Sequence, residues 1–493
     1  MTPRHQGASG GKGGRVRTAR EVTLPLHVDR AAAEPLPAQL VAQLRGLLAS
    51  GVLRPGDDLP STRALAAHLG VARGTVVTAY EQLLAEGWFS GAAGRSTTVN
   101  PRLHEVHPRL PVAGEAADPR AARAATAAPA PTTSAAGRPR PPLDLRPGQP
   151  TQTGVVGPAW RSAWRRAADA PVEVPLPPLG WPPLRAAIAD HLRRMRAVVR
   201  DPAEIVVTAG VREGLALLLM ATGARTVGVE EPGYPSLRRV LTAFGARPVP
   251  LPADAQGLVT ASLPAAAPQA VIVTPSHQYP LGGSLPVDRR LQLLDWAAAH
   301  GTLVVEDDYD SELRYTSAPL PALTSLDHRG GVALLGTFAK TLTPAVAVGF
   351  VVVPPALLGA VEAVRGGLGQ PVSLVTQRAL AHYLDSGALM RHTQRMRHLY
   401  RRRRAQVVRA LRAVPGARVY PMDGGLHAVV EHERDEPEVL AALAARGVLV
   451  AALSDYWAGG GSRRGLVFGF GGVSDADLAA ALTAIAAVLA EGA

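Results

Sequence analysis

Lys340 stands almost alone. Of the 52 basic side chains in this chain, 50 are arginine, and the only other lysine is Lys12, in a Gly-rich tail. Arginine serves wherever a solvated positive charge suffices, but its guanidinium does not give up its proton in a protein. A lysine kept in the body of so lysine-poor a chain is a candidate for amine chemistry. The best-known case is a Schiff base with an aldehyde cofactor such as pyridoxal phosphate (PLP). On rarity alone a chance surface lysine is an equal reading, so the neighbouring residues decide.

Those neighbours fall at the ends of short β-branched runs: "EIVVTAG" (204–210), "TVGVEEPGY" (226–234), "AVIVTPS" (270–276), "TLVVEDD" (302–308), "VALLGTFAK" (332–340) and "VGFVVVP" (348–354). Helical patterns separate most of them, as at 212–222 and 286–300. Strands alternating with helices predict an α/β fold, a mainly parallel sheet with helices on both faces. Ligands of such sheets sit beyond the carboxyl ends of the strands. The polar residues of this chain gather there: Gly210, Arg212, Tyr234, Ser276, His277, Asp307, Tyr309 and Lys340.

At 493 residues the chain should hold two or three domains. It has no cysteine, which excludes a disulfide framework, a thiolate metal site and a Cys nucleophile, and suits a reducing cytoplasm. No apolar run is long enough to span a bilayer, and the basic, Gly-rich N-terminus lacks the apolar core of a signal peptide. The net charge of +12 is concentrated towards the N-terminus, with +7 in residues 1–142 against +5 in the remainder, as expected of a part that meets a polyanion. Residues 1–22 read as a disordered basic tail, 23–100 as a compact domain, 101–142 as an Ala/Pro/Arg-rich linker that cannot bury a core, and 143–493 as the α/β body.

In the small domain a helix over 36–50 stops at Gly51. "LPSTRALAAHLG" follows, with Ser61 as N-cap and Gly70 as terminator; "VARGTVVTAYEQLLAEG" carries Arg73 and Thr75 in its first turn. This is a helix-turn-helix, and "WFSGAAGRSTTV" (88–99) reads as a β-hairpin wing. The whole resembles the winged-helix domain of GntR-type transcription regulators over roughly 36–99. The resemblance implies operator DNA as partner, with Ser61 and Arg63 on the backbone, Arg73 and Thr75 in the major groove, and Arg95 at the wing tip. Gly74 and Ser96 depart from the family pattern and imply an unusual sequence preference.

In the body, "GTFAKTLTPAVAVGF" (336–350), "EDDYDSELRY", "TPSHQYPLGG" and "EEPGYP" together resemble the fold-type I aminotransferase domain of MocR/GabR-type regulators. The resemblance implies PLP as cofactor. Lys340 would attach it, Asp307 would pair with the pyridinium nitrogen, and Tyr309 and His277 would support the ring oxygen. Tyr234 would stack on the ring. Gly210, Val211, Arg212 and Thr337 would surround the phosphate at a helix N-terminus. Taken singly, Asp307 reads equally well as a strand-end cap, Tyr234 as a turn aromatic and His277 as a satisfied buried histidine. Ala339, Ala347 and Pro175 stand where the family carries phosphate ligands. Charge-assisted hydrogen bonds contribute about 1.5–3 kcal/mol each, so these replacements imply weaker phosphate binding. The arginine that holds a substrate carboxylate in "IRLSF"-type enzymes is replaced by Val467, leaving Arg463 or Arg464 as substitutes. The expectation is a cytoplasmic DNA-binding regulator, a head-to-tail homodimer without membrane contact, that senses PLP or a small amino compound with little or no transaminase turnover. The alternatives are a working aminotransferase, or a DNA-binding dimer whose body has lost PLP.

Overall fold

A computed structural model describes residues 24–32, 34–91, 97–103, 142–172, 174–315, 321–458 and 463–491. The tail, most of the linker, and the wing tip with Arg95 lie outside the described residues.

The head has three helices, α1 (Leu36–Ala49), α2 (Thr62–Leu69) and α3 (Arg73–Ala85), and a hairpin of β1 (Phe89–Ser90) and β2 (Thr98–Val99). Helical spacing puts Leu40, Leu44 and Leu48 on one face of α1, where they meet Val76, Tyr80 and Leu83 of α3. Ser61 caps α2 by accepting from the Ala64 N–H at 3.2 Å, and Gly70 ends it at φ 65°, a left-handed conformation that favours glycine. The Tyr80 hydroxyl donates to the Pro60 carbonyl at 3.0 Å and ties the turn before α2 to α3.

The body is built on an eight-stranded sheet. We number its strands β3 (Ile205–Thr208), β4 (Thr226–Glu231), β5 (Arg247–Asp254), β6 (Gly257–Leu258), β7 (Ala270–Val273), β8 (Leu303–Asp308), β9 (Val332–Thr337) and β10 (Gly349–Val352). Their order is β3-β10-β9-β8-β7-β4-β5-β6. The run β9-β8-β7-β4-β5 is parallel, while β10 runs antiparallel to both neighbours. Alternation sends Ile205 and Val207 to one face, packed on Leu184, Ile188 and Leu192 of α4 (Pro182–Arg196), and Val206 to the other, packed on Leu215 and Leu218 of α5 (Val211–Thr222). β5 reads "RPVPLPAD" and was not foreseen, because three prolines argue against a strand. They occupy alternate positions, so the missing N–H groups share one side. The Pro252 carbonyl faces Val259 there at 2.9 Å, leaving the other side to pair with β4.

A second, antiparallel sheet of β11 (Arg418–Val419), β12 (His427–Glu431), β13 (Ala451–Ala452) and β14 (Gly465–Gly469), in the order β11-β12-β14-β13, packs on the long helix α6 (Ala388–Leu411) and the C-terminal α7 (Asp475–Ala490). Among the described residues no helix is long and apolar enough to cross a membrane.

Head and body meet at α4. Arg193, 2% exposed, donates to the Val52 carbonyl and to both Asp57 carboxylate oxygens at 2.7 and 3.3 Å. Its other partner is Asp190, one turn back on α4, at 2.8 Å.

Gly349 lets the start of β10 press against the turn that opens α5. A Cβ there would lie 2.7 Å from the Gly336 carbonyl oxygen and 2.9 Å from the Cα of Gly210, both backbone. Gly349→Ala should therefore lower stability by about 1–3 kcal/mol, the usual cost of overpacking, measured by chemical denaturation.

Candidate functional site

The carboxyl ends of β3, β8 and β9 and the start of β10 open on one side of the sheet, into a cavity of about 550 Å³. Lys340 stands three residues beyond β9 and lines it, with its amine donating to the Gly148 carbonyl at 2.9 Å. Burial holds this amine below the ordinary lysine range, while Asp310 and Asp307 pull the other way.

Asp307 and its neighbours are divided by strand alternation. Glu306 and Asp308 face Arg196 of α4, whose Nε lies 2.8 Å from Asp308 and whose Nη2 lies 4.0 Å from Glu306. Asp307 lines the cavity, and its buried Oδ1 has no partner. Burial first, then Asp308 and Asp310, push its pKa up to about 8, with Lys340 opposing. Among the described residues, other buried carboxylate oxygens also lack partners, on Glu204, Glu230, Glu306, Asp308 and Glu312, but none of those residues lines the cavity.

Tyr309 lines the cavity, and its hydroxyl donates to the His277 carbonyl at 3.0 Å. His277 itself does not line the cavity. Its Nδ1 lies 2.9 Å from both the Tyr309 hydroxyl and Asp310 Oδ2, so it stands behind Tyr309 and fixes it, where the sequence suggested direct support of a ring oxygen. Gly425 makes room for this: at φ 75°, a Cβ there would lie 2.4 Å from the His277 ring and 2.7 Å from Asp310.

Tyr279 takes the place foreseen for His277 on the cavity wall. Its ring meets Tyr234 edge-on at 5.2 Å, Tyr309 at 5.7 Å and His427 at 4.7 Å. His427, on β12, is held neutral: burial and the nearby His277 push its pKa down to about 4. Its Nε2 therefore carries the proton donated to the Pro280 carbonyl at 2.8 Å. Tyr279 lay within the motif "TPSHQYPLGG". Asp310 adjoins Tyr309 and was passed over, and His427 belonged to no motif.

At the other end, Gly210 (φ 101°) starts α5, so the Val211 and Arg212 N–H groups sit at a helix N-terminus, where the dipole favours an anion. Arg212 is exposed and lines the cavity. Glu213, beside it, accepts from the Ala209 N–H at 3.0 Å and pairs at 2.8 Å with the buried Arg365. Thr337, Ala339 and Ala347 also line this end, whereas Pro175 does not.

The structure does not bring Arg463 or Arg464 to the cavity. They precede β14, and Arg463 is held by the Tyr420 hydroxyl at 2.6 Å on the flank of the small sheet. Val467 is buried opposite Val429 of β12.

In the head, Arg63, Arg73 and Ser61 are exposed, and Thr75 is partly so. Arg73 Nε lies 3.3 Å from Thr62 Oγ1, which brings the first turn of α3 against that of α2.

Comparison with known proteins gives two family matches. Residues 36–99 match the bacterial regulatory proteins of the gntR family, and residues 142–485 match aminotransferase class I and II. The chain is 46% identical over 449 residues to the HTH-type pyridoxine biosynthesis transcriptional regulator PdxR of Corynebacterium glutamicum, covering 91% of this chain and 94% of that one. It is 34% identical to the probable rhizopine catabolism regulatory protein MocR of Rhizobium meliloti, covering 91% and 92%. A kynurenine aminotransferase from Pyrococcus horikoshii shares the fold of the body, with a TM-score of 0.65 at 23% identity over 71% of this chain and 91% of its own. Likeness to these regulators runs through head and body alike, so the chain belongs to the MocR/GabR-type helix-turn-helix transcription regulators, DNA-binding proteins with an aminotransferase-like domain.

Proposed function

We propose that the body holds PLP at Lys340, and that occupancy of this cavity by PLP, or by an amino compound reacting there, sets how the head binds operator DNA. The observation that carries the reading is Asp307: a buried carboxylate facing the cavity with an unpartnered oxygen, beside the only lysine of the body. A ring nitrogen able to share a proton is the partner such an oxygen lacks. When bound, PLP supplies an aldehyde for the amine and an electron-withdrawing ring. Lys340, depressed by burial, offers a free amine to the aldehyde at lower pH than an ordinary lysine. Asp307 holds the proton at the ring nitrogen. Tyr309, fixed by His277 and Asp310, presents its hydroxyl to the ring oxygen, and Tyr234 and Tyr279 provide aromatic walls. The α5 N-terminus and Arg212 take the phosphate.

Arg212 is the only arginine lining the cavity among the described residues, and it belongs to the phosphate end. With no second arginine for a substrate carboxylate, the site favours holding a ligand over turning over amino acids. The PdxR relative's name points to a B6 vitamer as the signal. We place the protein in the cytoplasm with its DNA, as a homodimer whose heads dock on bodies through the α4 contact. Ser61 and Arg63 hold the DNA backbone, and Arg73 and Thr75 enter the major groove, with Arg95 at the wing tip.

The direct test is to add PLP, reduce with borohydride and map the labelled peptide. The label should fall on Lys340 and vanish in Lys340→Ala, and absence of label at saturating PLP refutes the cofactor assignment. Sustained turnover of an amino acid with a keto acid would instead mark an enzyme. Arg73→Ala should weaken operator binding by about 1–3 kcal/mol if Arg73 reads a base edge, checked by anisotropy titration at fixed salt.

Asp307 also gives a pH signature. Its pKa is about 8 in the folded chain against an ordinary value of 3.8, so between these pH values the folded state holds a proton that the unfolded state has released. Stability therefore falls as pH rises through that window, at about 1.4 kcal/mol per pH unit. In the PLP-free protein, Asp307→Asn should be as stable as the parent below pH 4 and progressively more stable up to pH 8, followed by thermal melting, while PLP retention falls at least tenfold.

A further inference from the structure

We infer that α4 is the link through which the cavity reaches the DNA-binding head, with Arg193 as its grip on the head. This rests on the cofactor reading above. Arg196 binds Asp308 at 2.8 Å and the Ser276 hydroxyl at 2.8 Å, and His191 binds Glu312 at 2.6 Å. Asp308 follows Asp307, which lines the cavity, and Ser276 precedes His277, which fixes Tyr309. One turn away from Arg196 on the same helix, Arg193 holds Val52 and Asp57 of the head. Both arginines are buried, at 2% and 3% exposure, as is Asp57 at 4%.

Ion pairs buried this deeply do not tolerate gradual misalignment, because a separated pair leaves charge unsolvated. A change in position or charge at Asp307 is felt at Asp308 through one peptide unit, and then by Arg196. Helix α4 is rigid over the single turn between Arg196 and Arg193, so the head contact shifts with it. Asp57 also accepts from the Arg54 N–H at 2.8 Å, which fixes the turn between α1 and α2. The contact thus ends on the segment that sets where α2 begins.

The test uses the full chain, PLP, and an operator selected from random duplexes. PLP uptake is followed by the absorbance of the bound cofactor, and DNA binding by anisotropy, first separately and then together. The ratio of operator Kd with and without PLP measures the coupling, expected to be about 5- to 150-fold in the parent protein. Arg193→Met touches neither cavity nor DNA face. Its ratio should collapse to within about twofold of unity, and by reciprocity DNA should cease to alter its PLP affinity. Asp57→Asn keeps the local turn and should reproduce the loss from the head side. A variant that still binds PLP and DNA separately is folded, so its lost coupling cannot come from misfolding. If both variants keep the parental ratio, the inference is wrong. If the parent binds PLP and DNA without any coupling, the inference also fails while the cofactor reading stands. If the parent takes up no PLP, the reading itself fails, and the inference with it.

Discussion

The structure depends on how negative charge is buried at the end of strand β8. Glu306, Asp307 and Asp310 are each less than 5% exposed, and the Asp308 side chain is nearly as enclosed. A buried carboxylate must find a cation, find donors, or take up a proton. The pleat sorts them: Glu306 and Asp308 go to Arg196, and Asp307 turns towards the cavity and Lys340. Arg196 does not neutralise its side fully, since burial and Asp308 still hold Glu306 up at about 6. Asp307 Oδ1 is left without a donor and burial raises the group to about 8, so it takes up a proton, and that makes the cavity a site for a ligand with a ring nitrogen able to share that proton. A neutral apolar ligand would leave the same oxygen unsatisfied and would be excluded on that ground.

The remaining elements serve this arrangement. The reversed strand β10 begins at a glycine, which allows the α5 N-terminus to approach the end of β9. This puts the pole that favours anions across the cavity from the carboxylates. His277 takes no place on the wall but, with Asp310, holds Tyr309 there, and Gly425 lets the chain close over the pair. The small sheet contributes His427, whose neutral ring packs against Tyr279 without adding a charge.

Much of this could be read from sequence where one residue type or one period has one physical meaning. Lys340 was legible because every other Lys-or-Arg position of the body is arginine. Asp307, Tyr309 and Tyr234 were legible because a strand that ends in polar residues marks the ligand side of a parallel sheet. The head was legible from its caps and helical spacing. Tertiary proximity was not. His427 sits mid-strand in a sheet whose register no local signal sets, and His277 was placed one layer too far forward because a motif gives order along the chain and not depth. Arg463 and Arg464 looked available for a carboxylate only while the neighbourhood of Tyr420 was unknown. β5 was hidden by prolines that matter little at alternate positions. The bond from Arg193 to Asp57 joins residues far apart in sequence, with nothing in either segment to announce the other.

A cavity that binds without turning over is sufficient for regulation. An effector shifts an equilibrium only by its differential affinity for two states, whatever chemistry it undergoes. Asp307, with its unpartnered Oδ1 and a pKa raised by burial to about 8, would supply such a difference if a ring nitrogen came to share its proton. On that reading the charge pattern around Arg196 would differ between empty and occupied cavities. The amplitude needed is small. A coupling of about 1–3 kcal/mol covers the usual range between ligand and DNA sites, and a single buried, charge-assisted hydrogen bond is of that order. Catalysis would ask more of the same pocket: a second anion anchor to orient a substrate carboxylate, at a position where Val467 is packed into the core between strands. The residues that line the cavity would be sufficient to register a bound aldehyde as a change in buried charge.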